Sequence, residues 1–274
     1  MNNGFFTPAE LTKNYAAAGA AKTKRGTAHL IVLGILAGAF IAFGSAATNT
    51  AVYGIADTWT ARTIAAVLFP FGLCMVIAFG AELFTGNCLI SISLLDKQCT
   101  AAGLIRNWVI VYLSNMLGSV LVAAGCAFFG QMNYSNGELA LYTMRVAANK
   151  CAMPFQNAFV LGILCNVLVC FAVLMANSAK DNTGRFLGAY MPVCFFVLCG
   201  FEHSVANMYY IPAGLMAAAV PQYQALAQSA GLDLSHLNLQ GFLLGNLLPV
   251  TLGNIVGGVA VGWSMWFTNL RDKK

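Results

Sequence analysis

The sequence predicts an all-α membrane protein of six transmembrane helices, arranged as two inverted three-helix repeats with the second and fifth helices broken. Three observations predict it. The first is composition: of 274 residues, 59% are hydrophobic and only 8% charged, against about 25% charged in an ordinary soluble domain. So little charge cannot cover a soluble globule, and so much apolar content excludes disordered, collagen-like and coiled-coil chains. The second is spacing: no Asp, Glu, Lys or Arg occurs at 26–56, 63–81, 107–137, 151–179, 186–201, 203–232 or 234–270. A helix crossing hydrocarbon needs about 20 apolar residues, so most gaps hold one span. The third is a set of matched segments in the two halves.

The elements follow in order. Residues 1–27 are polar and mildly basic, with no short isolated apolar core, and so are not read as a signal peptide. Thr7-Pro8 is a helix start, and Phe5, Phe6, Leu11 and Tyr15 fall at near-helical spacing. This predicts an amphipathic helix on the cytoplasmic face. Spans are expected at 28–53, 62–83, 105–129, 154–177, 186–218 and 241–268, with a tail at 269–274. The channel domain is then 28–268, its first repeat 28–129 and its second 154–268. Polar loops are expected at 130–150 and 221–240.

Lys and Arg fix the orientation. Six spans put eleven basic residues (Lys13, Lys22, Lys24, Arg25, Lys97, Arg106, Lys180, Arg185, Arg271, Lys273, Lys274) on the side of the termini and three (Arg62, Arg145, Lys150) on the other. Both termini are therefore expected in the cytoplasm, in a multi-pass protein of the inner membrane. The net charge of +5 reflects this placement and not a nucleic-acid partner. Nine cysteines (74, 88, 99, 126, 151, 165, 170, 194, 199) lie mostly within spans without CxxC spacing. They read as small packing residues, so no metal, disulfide or cofactor is expected. His29 and His236 sit at a span end and in a loop, and receive no role.

The repeat locates the candidate site. Leu33-Gly34-Ile35-Leu36 recurs as Leu161-Gly162-Ile163-Leu164. Gly80-Ala81-Glu82-Leu83-Phe84-Thr85-Gly86-Asn87 pairs with Gly200-Phe201-Glu202-His203-Ser204-Val205-Ala206-Asn207, sharing G-x-E-x-x-x-x-N. Leu113, Asn115, Gly118 and Val120 recur as Leu252, Asn254, Gly257 and Val259. Three spans per repeat is odd, so the halves insert with opposite topology. Such repeats place their pathway near the midplane, where helices are broken. The two G-x-E-x-x-x-x-N segments are the expected breaks, with Gly80, Gly86 and Asn87 loosening one helix, and Ser204 and Asn207 bonding backbone freed in the other.

At these residues the sequence resembles the formate/nitrite transporter family, over nearly its whole length. Glu82–Asn87 and Gly200–Met208 look like its two signature segments; Pro249–Asn254 and Gly162–Asn166 also fit. The resemblance implies an aquaporin-like six-helix protomer, assembled as a homopentamer with one pore per protomer, passing small monovalent anions of weak acids. It implies a central pore histidine at His203 faced by Thr85, an anion-attracting Lys150, and supporting polar positions at Asn166, Glu202 and Asn207. It further implies two apolar constrictions formed by Phe69, Leu73, Leu83, Phe84, Val169 and Phe196.

The chemistry suits those residue types. A bare anion in a dry slit is costly, and formate, nitrite and hydrosulfide share an escape, since each accepts a proton. A histidine between oily constrictions, near its switching range, is expected to share a proton with the permeant or to hydrogen-bond it with Thr85. Formate is the expected substrate, with nitrite or hydrosulfide as alternatives. A neutral-solute channel is the less favoured alternative, because neither half carries the Asn-Pro-Ala pair of aquaporins. A membrane enzyme is not expected: Ser204 cannot pair with its chain neighbour His203, and no GxSG, nucleotide loop or metal cluster is present. Taken singly, His203, Glu202 and Thr85 also admit packing or backbone-bonding roles, and Lys150 that of an interfacial anchor.

Overall fold

The computed structural model describes residues 4–271; the last three residues of the expected tail lie outside them. Among the described residues the fold is all-helical, with one isolated bridge between Phe5 and Ala179. Five described spans are long and apolar enough to cross a membrane: Thr27–Val52, Thr58–Phe79, Ala101–Phe128, Phe155–Ser178 and Gly241–Asn269. A sixth is a pair, Asn182–Cys199 and Ser204–Ala218, bent by 53°.

Ahead of the first repeat lies α1 (Pro8–Lys24), which Thr7 starts through a capping box with Glu10. α1 is docked on protein along one face: Leu11, Tyr15, Ala16, Gly19 and Ala20 are buried. Phe5 and Phe6 precede the helix and run beside residues 178–180, where Phe6 N–H donates to Ser178 O at 2.8 Å. α2 (Thr27–Val52) and α7 (Ala101–Phe128) form a close pair because Gly38 lets the backbone of Asn115 approach. Between them the second span runs through α3 (Thr58–Leu68) and α4 (Phe71–Phe79), breaks at 80–83, and resumes as α5 (Phe84–Asn87), one 3₁₀ turn and α6 (Ser91–Leu95). The second half of this span was not expected beyond residue 83; its polar Thr85, Asn87, Ser91 and Ser93 obscure its burial, yet all are enclosed.

The second half follows the same plan, with α8 (Tyr134–Cys151) ahead of the repeat and then α9 (Phe155–Ser178), α10 (Asn182–Cys199), α11 (Ser204–Ala218) and α13 (Leu248–Asn269). α13 is preceded by a π-helical turn at Gly241–Leu247, and α12 (Pro221–Ser229) is a surface helix. Two expectations are corrected here. Most of the segment expected as a loop at 130–150 is α8, whose buried Leu139, Ala140, Thr143, Met144 and Ala147 recur at helical spacing. Likewise α12 occupies part of 221–240, with Pro221 in its first turn and Tyr223 and Ala227 turned inward.

Two glycine pairs at four-residue spacing, Gly34/Gly38 and Gly253/Gly257, are spent on contacts inside the chain. Gly34 and Gly38 meet α7, and Gly253 and Gly257 meet α9, in the same arrangement in each half. They are therefore not a free oligomer surface.

Candidate functional site

Both breaks are made the same way. Gly80 (φ 62°) and Gly200 (φ 71°) end α4 and α10 in the left-handed region that glycine enters freely. The chain then runs extended, and Glu82 N–H donates to Leu33 O at 3.2 Å, as Glu202 N–H does to Leu161 O at 3.3 Å. Irregular backbone at this depth survives only if every polar group is satisfied. Two asparagines satisfy part of that requirement. Asn115 donates to Gly34 O (2.7 Å) and Glu82 O (2.9 Å) and accepts from Phe84 N–H (2.9 Å). Asn254 donates to Gly162 O (2.8 Å) and Glu202 O (3.0 Å) and accepts from Ser204 N–H (2.9 Å).

Ser204 and Asn207 do not bond the freed backbone as expected. Ser204 Oγ has no partner among the described residues, and the Asn207 amide is drawn to side chains instead. The cap of α11 is His203 itself: its Nδ1 accepts from Ala206 N–H at 3.0 Å. That bond requires Nδ1 to be unprotonated, so the ring hydrogen sits on Nε2 and donates to Thr85 Oγ1 at 2.9 Å. The Thr85 hydroxyl hydrogen is thereby left to point elsewhere. The repeat explains the pairing, because Leu83 stands where His203 does in the other half, and Val205 where Thr85 does. Each repeat contributes one polar residue to the centre, and the two meet.

Around each break lies a polar cluster of the same design. Glu202 accepts from Lys150 Nζ (2.7 Å) and Asn207 Nδ2 (2.6 Å); Asn207 also donates to Asn246 Oδ1 (2.7 Å), which in turn donates to Lys150 O (3.0 Å) through Nδ2. Glu82 accepts from Lys22 Nζ (3.1 Å) and Asn87 Nδ2 (2.6 Å); Asn87 donates to Asn107 Oδ1 (2.9 Å), whose Nδ2 donates to Lys22 O (3.3 Å). Neither carboxylate bonds a broken-helix N–H; each compensates a cation.

Two funnels open toward the centre. The Lys150 funnel, about 470 Å³, is lined by Arg62, Arg145, Lys150 and Glu202, with Phe69, Phe196 and His203 also on its wall. The Lys22 funnel, about 170 Å³, is lined by Lys22, Arg25, Arg185 and Glu82, with Leu73 and Leu83 also on its wall. Each carries three cations against one carboxylate, a focused positive field. Phe69 and Phe196 pack edge-to-face (5.7 Å) and Phe196 stacks on His203 (5.8 Å).

Four of the six residues expected at constrictions thus line a funnel. Phe84 and Val169 line neither: the Phe84 ring packs on Tyr112 (4.8 Å) and Trp108 (6.2 Å), and Val169 is buried in the core. Asn166 also lies behind the site, donating to Thr85 O (3.2 Å) and Asn254 O (2.5 Å), so that it ties α5 to α13. Lys22, Arg25, Asn87, Asn107, Asn115, Asn246 and Asn254 were not among the expected site residues. The repeat could have found several of them: the offset of 128 that relates Leu33 to Leu161 also relates Lys22 to Lys150, and the offset of 139 relates both Asn107 to Asn246 and Asn115 to Asn254.

Residues 9–267 match the family described as formate/nitrite transporter. The chain belongs to the formate/nitrite transporter family. It is a membrane transport protein rather than an enzyme. A probable formate transporter of Methanothermobacter thermautotrophicus is 35% identical across 99% of this chain and 100% of its own length. The formate channel FocA of Haemophilus influenzae is 40% identical over 82% of this chain and 81% of the relative. Among solved structures, a pentameric formate channel with formate bound matches with a TM-score of 0.78 at 33% identity, covering 89% of this chain and 98% of that one. The all-helical fold with its broken spans is that of these transporter-family channels.

Proposed function

We propose that this chain is a formate channel of the inner membrane, assembled as a homopentamer, with both termini in the cytoplasm. In this reading residues 28–268 form the channel domain, 28–129 and 154–268 its two repeats, and α1 completes the funnel on the cytoplasmic side. The names of its relatives support the substrate and the assembly, and the eleven-to-three bias of basic residues supports the orientation.

The observation that carries the reading is the Thr85–His203 pair set between two positive funnels. Lys150 on one side and Lys22 on the other raise the local concentration of anion. Between them the wall narrows to Phe69, Phe196, Leu73 and Leu83, where an unpaired charge is expensive. A weak-acid anion meets that cost by taking up a proton or by being hydrogen-bonded. His203 holds its Nε2–H on Thr85, and the Thr85 hydroxyl hydrogen is the donor free to meet the permeant. With Nδ1 engaged as the helix cap, His203 acts as an orienting hydrogen-bond donor. The hydrogen-bonding version of the expectation is therefore favoured over proton transfer from the ring.

The test is uptake into liposomes of formate, nitrite and hydrosulfide at several pH values, for wild type, Thr85→Val and His203→Ala. Fast formate flux that both substitutions abolish or re-tune supports the reading. Passage of water or glycerol without any anion would overturn it.

A further inference from the structure

The two half-sites share one plan but differ in how their glutamates and asparagines are paired. Glu202 takes one cation, Lys150, and among the described residues no arginine reaches it. Glu82 takes two, Lys22 at 3.1 Å and Arg25. In the Lys22 half Asn87 Oδ1 accepts from Lys22 Nζ at 2.8 Å, whereas in the other half Asn207 Oδ1 finds no partner among the described residues. Arg25 is therefore a second cation on a carboxylate whose counterpart needs one. It is also the outer one: its side chain is 39% exposed, against 23% for Lys22 and 0% for Glu82. Its backbone is pinned, since Arg106 donates to Arg25 O (3.1 Å), Thr23 O (3.4 Å) and Thr27 Oγ1 (2.8 Å). The side chain can swing while its root stays fixed.

We infer that Arg25 is a docking residue for the permeant at the cytoplasmic funnel, selective for planar anions with two oxygens. This rests on the proposed weak-acid channel reading. Formate is the head of a glutamate side chain without its tether, so an incoming formate can replace Glu82 on Arg25 while Lys22 continues to compensate Glu82. One carboxylate is exchanged for another, and no charge is left buried and unpaired. The guanidinium fork offers two parallel N–H groups that match the two oxygens of formate or nitrite; hydrosulfide, with a single charged centre, cannot use both. Lys150, at the other funnel, is a compact point charge and makes no such distinction. The roughly 170 Å³ funnel already holds Arg25, Lys22 and Arg185 on its wall, which is ample for a three-heavy-atom ion.

The test uses Arg25→Lys, which keeps the charge and removes the fork, in inside-out and right-side-out membrane vesicles. The half-saturating formate and nitrite concentrations for entry from the cytoplasmic side should rise about tenfold, the worth of one charge-assisted hydrogen bond. Those for hydrosulfide, and those for entry from the opposite side, should move less than twofold. Arg25→Gln should raise the cytoplasmic value for every permeant anion. An unchanged formate value, or an equal shift from both sides, overturns the inference. In the wild-type protein, formate should slow modification of Arg25 by phenylglyoxal, read by peptide mass spectrometry, more than equal chloride does; equal protection also overturns it. A wild type that passes no anion defeats the channel reading instead, a separate result.

Discussion

Asn115 and Asn254 make the same three hydrogen bonds in opposite halves of the chain, each with two carbonyl oxygens and one N–H at a broken helix. Both are fully buried, so removal of either strands three backbone groups where water cannot follow. A buried unsatisfied group costs about 1–3 kcal/mol. Asn115→Ala and Asn254→Ala should each lower stability by roughly 3 kcal/mol or more, read as a drop in the melting temperature of the detergent-solubilised protein. Asn→Asp retains the acceptor but loses both donors, and should be no milder. A melting temperature unchanged by these substitutions would show that the breaks are held by something else.

The glycines that end α4 and α10 should not tolerate alanine equally. Both hold positive φ, so each Gly→Ala carries about 1–2 kcal/mol of left-handed strain. A Cβ at Gly80 meets nothing within 4 Å, whereas one at Gly200 would lie 2.7 Å from Arg62 Nη1. Gly200→Ala is therefore expected to displace the Arg62 guanidinium, the far end of a flexible side chain, from the Lys150 funnel, at a small added cost in stability. In an Arg62→Ala background the two glycine substitutions should converge. If they remain as far apart as before, the Arg62 contact is not the cause.

The start of α1 should respond to acid. Glu10 lies outside the spans, and the Thr7 backbone and hydroxyl donors hold its carboxyl below its ordinary value of 4.5. A depressed folded-state value means that the capping box contributes fully above about pH 4.5 and is lost as pH falls through the lower value. Hydrogen exchange of the first turn of α1 should thus be flat from pH 7 to about 5, once corrected for intrinsic rates, and speed up at more acid pH. Glu10→Gln should remove that acid step, and an unaltered step would assign it to another group.

The spans were legible because charge is excluded from hydrocarbon, and the gaps between charged residues outline the helices directly. The breaks were legible because glycine, glutamate and asparagine recur at one spacing in both halves, which packing alone does not require. The pairing of His203 with Thr85 came instead from the family resemblance, since both residues depart from the repeat and their hydrogen bond joins residues 118 positions apart. Hidden from the sequence were α8 and α12, whose buried residues (Leu139, Met144 and Ala147 among them in one, Tyr223 and Ala227 in the other) are interspersed with polar or charged ones that read as loop. Also hidden was Arg25 on Glu82, since a basic residue at the end of a polar segment reads as a solvated charge until the fold carries a buried carboxylate to it. Phe84, next to Thr85 in sequence, packs its ring on Trp108 and Tyr112, contacts that the sequence did not indicate.

The unequal pairing of the two glutamates makes a last prediction that a symmetric site would not. Lys150 is the cation that meets Glu202, whose side chain is 5% exposed. Lys150→Ala leaves that carboxylate with amide partners only, and stranding a buried charge in this way costs about 3–5 kcal/mol. Lys22→Ala leaves Glu82 on Arg25, so its cost should stay near the ~1 kcal/mol of a partly exposed pair. The cause can be isolated with the conservative neutral variant. Lys150→Ala combined with Glu202→Gln should recover most of the lost stability, because no charge then remains to be compensated, whereas Glu82→Gln should do little for Lys22→Ala. Melting temperatures of the four variants and wild type decide it. Equal losses for the two lysines, or a Glu202→Gln that fails to rescue, would mean that the aliphatic stem of Lys150 and its contact with Tyr210 (5.5 Å to the ring centre) matter more than its charge.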